Sequence, residues 1–120
     1  RSSILPNLLE LLKNNRHREL PQNIFEIGQV IQQGSNRMSL AWIELASRAT
    51  FSKARATAEN IAHRLEITGE IVKSEDPLFI PGRNIQVKYE NIVMKYGEIH
   101  PRTLEKLELN YPAIGGEIHW

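Results

Sequence analysis

The chain has 120 residues, a formal net charge of +1, 41% hydrophobic and 24% charged residues, and no cysteine. That composition describes one ordinary globular domain rather than a disordered tail; it excludes a disulfide-stapled fold and thiolate chemistry, and its charge argues against a surface strongly drawn to polyanions. No apolar run approaches the roughly 20 residues that a membrane span needs, which together with the missing cysteine predicts a cytoplasmic protein without membrane contact.

From Ser3 to His17 the chain reads as an amphipathic helix in which Ile4, Leu5, Leu8, Leu9, Leu11 and Leu12 spread a broad apolar stripe. Pro6 suits its first turn, and Lys13, Arg16, His17 and Arg18 suit the carbonyl end. The sequence opens on Arg1 and enters this helix at once, so the expectation is a piece of a longer chain. Asn23 to Ile31 is apolar and β-branched around Gly28, which predicts a buried strand with a bulge or a close backbone approach. Gly34, Ser35 and Asn36 turn it into a second strand, Met38 to Ala46, whose two faces both carry apolar residues.

Thr50 is placed to cap a helix carrying Phe51, Ala54, Ala58, Ile61, Ala62 and Leu65 at helical spacing, closed by Thr68 and Gly69. A short strand near Glu70 to Lys73 follows, and then a structured loop with two prolines and a glycine through Arg83. Ile85, Val87 and Tyr89, then Glu90 and Asn91, then Ile92, Met94 and Tyr96 predict a hairpin. Pro101 opens a short helix with Leu104, Leu107 and Leu109 inward, and the chain finishes in a strand-like AIGGEIHW. Helices interrupt the strands at irregular intervals, so the fold class expected is α+β, an antiparallel sheet flanked by helices.

The residues offer little catalytic chemistry. His17, His63, His100 and His119 show no metal-ligand spacing; His100 suits a cap before Pro101 and His63 a solvated helix face. Glu26, Glu44, Glu98 and Glu117 fall in predicted strands, where ion pairing or solvation is the plainer reading than acid-base work. None of the serines sits in a nucleophile-elbow context. The Phe79 to Arg83 segment lacks a phosphate-loop signature and reads as a Pro-Gly turn.

Three phrases taken together carry a resemblance: SSILPNLLELLKNNRHRELPQNIFEIGQV, DPLFIPGRNIQV and YGEIHPRTLEKLELNYPAI. In this order they resemble the core domain of the β subunit of phenylalanyl-tRNA synthetases of the archaeal and eukaryotic type, end to end. The resemblance implies a class II aminoacyl-tRNA synthetase core that is non-catalytic. Residues 1–120 would be the C-terminal part of that domain, its N-terminal part lying upstream. It further implies an α subunit partner in an assembly of two α and two β chains, ATP and magnesium for the assembled enzyme but no cofactor, metal or catalytic residue on this piece, and tRNA reached through other modules.

Class II chemistry uses two arginines on ATP because a guanidinium gives permanent, bidentate positive charge. Laid on the family's motifs, those positions fall on Gln32 and Ile118, which implies lost nucleotide contacts. Leu5, Leu8, Leu9 and Leu12 are then the interface candidates, since the stripe is wider than one small core needs. Two other readings compete with a scaffolding role: a vestigial nucleotide or amino-acid pocket, and a direct tRNA-binding module using Arg16, Arg18, Arg83 and Arg102.

Overall fold

A computed structural model describes residues 1–120. The elements are α1 (Leu5–Asn14), β1 (Gln22–Gln32), β2 (Ser35–Leu45), α2 (Phe51–Arg64), β3 (Glu70–Val72), β4 (Phe79–Tyr89), β5 (Ile92–Ile99), α3 (Pro101–Lys106) and β6 (Ala113–His119). The strands form one six-stranded sheet in the order β1-β2-β6-β5-β4-β3, antiparallel at every pairing. The last strand in sequence is thus inserted between the two hairpins, with all seven of its residues buried.

Side chains on successive residues of a strand point to opposite faces, and the two faces have different covers. Helices α1 and α3 lie on one face, where Leu5, Leu8, Leu9, Leu12, Leu104 and Leu109 pack with Val30, Ala41, Ile43, Leu45, Phe79 and Ile99. Helix α2 lies on the other, its Ala54 and Ala58 against Trp42, Met94, Tyr96, Ile114 and Ile118. Small residues at those two positions let this helix sit close to the sheet. Its N-terminus is capped as its sequence predicts, the Thr50 hydroxyl accepting from the Lys53 amide.

Several expectations change. β1 pairs with β2 in an unbroken register and is an edge strand, so the buried, bulged strand expected there is corrected: Phe25, Ile27 and Ile31 are 72%, 57% and 57% exposed. Only its even positions face a helix, Ile24 and Val30 toward α1. The loop expected through Arg83 is the irregular start of β4, with the pairing to β5 shifted between Phe79 and Asn84 and Gly82 at a φ of 80°. The hairpin of β4 and β5, both longer helices and α3 lie within a few residues of their expected places.

The interface expected on α1 is also corrected. Leu5, Leu8, Leu9 and Leu12 are each 3% exposed or less, because α1 lies across β1, β2 and β6 and the chain's own sheet covers these four side chains. The leucine that α1 does present is Leu11, at 47%. No helix is long and apolar enough to cross a membrane.

Candidate functional site

On the α1 face the helices cover only part of the sheet. Beyond them a trough runs from α3, past the 73–78 segment, to the tips of the β1–β2 and β4–β5 hairpins. Its inner cavity, of about 960 Å³, lies between that segment and α3 and is lined by Asn84, His100, Arg102 and Lys106. A cavity of about 210 Å³ beside Gln32, Lys95, Glu117 and His119 shares lining residues with it and with an outer one of about 470 Å³ that holds Arg37, Gln86 and Lys88 as well.

The register sets the floor. His119 lies opposite Ser39 on one side and Val93 on the other, and Val93 opposite Lys88, which makes one rung across four strands. The next rung on the same face is Ala41, Glu117, Lys95 and Gln86. Two rungs on one face stand about 7 Å apart, so these polar groups surround a single depression.

Glu117, 4% exposed, is committed to structure. Its carboxylate accepts from the amides of Ile4 and Leu5 at 2.7 and 2.8 Å and from the Ser39 hydroxyl at 2.5 Å. α1 has Ile4 at its N-cap position and no side-chain cap of its own. A carboxylate from the central strand therefore caps it, satisfying two free N–H groups and complementing the positive end of the helix dipole.

His119 is 7% exposed, with Nε2 3.6 Å from Glu117. Its pKa is held below the ordinary value chiefly by burial; the Glu117 charge opposes this, while Arg37 and Lys95 reinforce it. The imidazole is neutral near pH 7, so its contact with Glu117 is not an ion pair. The Gln32 amide stands 3.4 Å from Nδ1, and a hydrogen bond donated there leaves the proton on Nε2.

The remaining strand glutamates are also partnered: Glu26 with Arg1, Glu44 with Lys53, and Glu98 with Arg83 and the Phe51 amide. His100 caps α3 by accepting from the Arg102 amide at 3.0 Å, and His63 is exposed, both as expected. The four arginines of the tRNA reading are not gathered. Arg16 pairs with Glu108, Arg18 donates to Asn15 and Arg83 reaches Glu98 on the α2 face, while Arg102 lines the inner cavity of the trough.

The pairing of Gln32 with Ile118 as nucleotide positions needs correction. Gln32 lies on the α1 face beside His119, whereas Ile118 is packed into the α2-side core. Residues on opposite faces of a sheet cannot line one cleft. The β6 residues on the face of Gln32 are Ala113, Gly115, Glu117 and His119, none an arginine. Nor is the trough without fixed cations, since Arg37, Lys88 and Lys95 stand around its outer cavity. Sequence reasoning passed over these three because they belong to three different strands. Only the alternation of Gln86 and Lys88 with Ile85 and Val87 hinted at a polar face.

Comparison with known proteins gives this fold a context. The profile of the family described as phenylalanyl tRNA synthetase beta chain CLM domain matches residues 1–120. The phenylalanine–tRNA ligase beta subunit of Archaeoglobus fulgidus is 41% identical over 119 residues, covering 98% of this chain and 22% of that protein. That of Methanococcoides burtonii is 39% identical over 120 residues, with the same 98% and 22%. The chain thus spans about a fifth of the length of these relatives. Among solved structures, a pyrrolysyl tRNA synthetase of Desulfitobacterium hafniense superposes with a TM-score of 0.77 over 99% of this chain and 46% of that one. At 21% identity that likeness shows the fold, which is that of a class II synthetase core. By the match along its whole length and by these relatives, the chain belongs to the phenylalanyl tRNA synthetase beta chain CLM domain family.

Proposed function

We propose that this chain is a non-catalytic structural and interaction core within a phenylalanyl-tRNA synthetase β subunit, supporting the ATP-dependent ligation of phenylalanine to tRNA by a partner α subunit in the cytoplasm. Family membership supports the setting. The observation that carries the interaction role is the uncovered face of β1. Phe25, Ile27 and Ile31 form an exposed apolar row on an edge strand, interrupted by Gln29, continued on β2 by Met38 and Leu40 and beyond it by Trp120, itself 42% exposed. Such a row costs free energy in water and is favourable when another surface covers it.

In this reading ATP, magnesium and tRNA are handled by other parts of an assembly of two α and two β chains. The placement of residues 1–120 in the C-terminal part of a catalytic-like core rests on the order of the sequence motifs. The test is co-purification of the full-length β subunit with its α partner after Phe25→Lys together with Ile27→Lys. Both positions are exposed, so the variant is expected to fold and to lose the partner, while His63→Ala keeps it. A double variant that co-purifies like wild type would sink the proposal, as would adenylate formation by this polypeptide alone.

A further inference from the structure

Eight of the fifteen Lys and Arg side chains have no carboxylate partner, and four of those eight, Arg37, Lys88, Arg102 and Lys106, line the trough. The carboxylates lining it are all engaged: Glu75 with Lys73, Asp76 with Lys95, and Glu117 with the amides of α1. Half of the unpaired positive charge of the chain thus lies along this trough, two side chains at its inner cavity and two at its outer one. Unpaired like charges repel one another, and an anion of matching size relieves that repulsion.

The geometry points to a binding site for a small oligophosphate anion in the outer cavity, held by Arg37, Lys88 and Lys95 over a floor of Gln32, Gln86 and His119. The cavity, of about 470 Å³, falls in the size range of small-ligand sites. Arg37 and Lys88 rise from β2 and β4, with β6 and β5 between them. Three strand spacings amount to about 14 Å, a span that two long side chains narrow to the width of one small anion. Lys95 stands between them, its ammonium 3.5 Å from a single Asp76 oxygen, a long contact that leaves donors free. Arg37 spends one N–H on the Asn91 carbonyl, which anchors the guanidinium at the rim and leaves further donors. Gln86 adds a neutral amide donor, while the Gln32 amide is already engaged with the Ser2 carbonyl and His119. Arg37 and Lys95 both stand close enough to His119 to oppose its protonation, adding to the burial that chiefly depresses its pKa and against the pull of Glu117. The inner cavity is less well built for such a ligand, because Arg102 and Lys106 sit on one exposed helix face and the lysine across from them, Lys73, is paired with Glu75.

The experiment is site-resolved lysine acetylation of the full-length β subunit assembled with its α partner, read by mass spectrometry with and without sodium tripolyphosphate. Reading individual lysines separates this cavity from any nucleotide site elsewhere in the assembly. Labelling of Lys88 and Lys95 is expected to slow several-fold and saturably, while Lys53 and Lys106 change little. Arg37→Gln should raise the half-protecting concentration about tenfold, the loss of one charge-assisted contact, and Lys88→Gln should do the same for protection of Lys95. No protection, or equal slowing at all four lysines from ionic screening, overturns the site. Protection by a short RNA oligonucleotide that extends to Lys106, with none by tripolyphosphate, would assign the trough to a phosphodiester strand instead and overturn the small-anion reading.

Discussion

A buried carboxylate is costly unless charge-assisted hydrogen bonds replace its water, and Glu117 receives three from Ile4, Leu5 and Ser39. Glu117→Ala should therefore cost about 3 kcal/mol, combining a lost helix cap with two unsatisfied amides. Glu117→Gln, which keeps one acceptor oxygen, should cost less; urea unfolding followed by tryptophan fluorescence measures both. The neighbouring His119 makes a second prediction, in pH. Its folded pKa lies below the ordinary 6.5, chiefly through burial. As pH falls through about 6.5 the unfolded chain takes up a proton that the folded chain refuses, so stability is full above that value and declines below it. The urea midpoint should fall between pH 7.5 and 5.5, and His119→Gln should flatten that fall; an unchanged slope would refute a depressed His119. None of this was legible in the sequence. Glu117 could be placed in a strand, but the helix it caps begins more than a hundred residues earlier, and no local pattern records that contact.

Elements whose evidence is local were legible. Thr50 and the small apolar residues behind it define α2, and the Glu90–Asn91 turn between alternating runs defines the β4–β5 hairpin. The first helix was also recognised, but its breadth of leucine was referred to a partner when its own sheet covers it. That difference yields a test. Leu8 and Leu12, at 2% and 1% exposure, should cost about 2–5 kcal/mol each as alanine through lost transfer energy and the cavity left behind. Leu11→Ala, on the exposed side of the same helix, should fall within about 0.5 kcal/mol. Chemical denaturation of the three variants distinguishes the accounts, since a purely intermolecular role for the stripe would leave all three alike. β1 departs from its expected burial for a related reason. An apolar run of strand length looks the same whether both faces are covered or one awaits a cover, and periodicity alone does not tell them apart.

At the scale of the whole molecule the governing fact is that spatial order departs from chain order. β1 and β2 form one hairpin and β4 and β5 another, and only β6, made last, joins them into one sheet. The same strand carries Glu117 to α1 and Ile114 and Ile118 to the α2-side core, so the two layers and both halves depend on its seating. Gly115 and Gly116 make that seating possible. A Cβ on Gly115 would stand 2.5 Å from the Trp42 carbonyl oxygen, and one on Gly116 would enter the Trp42 ring and come within 2.6 Å of the Lys95 carbonyl oxygen. Backbone on one side and a buried ring on the other leave little room to yield, so Gly116→Ala should cost about 1–3 kcal/mol by overpacking. Because β6 bridges the halves, the loss should be global. Hydrogen exchange in Gly116→Ala is expected to quicken together in β2 and β5, the two neighbours of β6. Quickening confined to one of them would mean that the hairpins hold independently and that β6 is not the strand that unites the sheet.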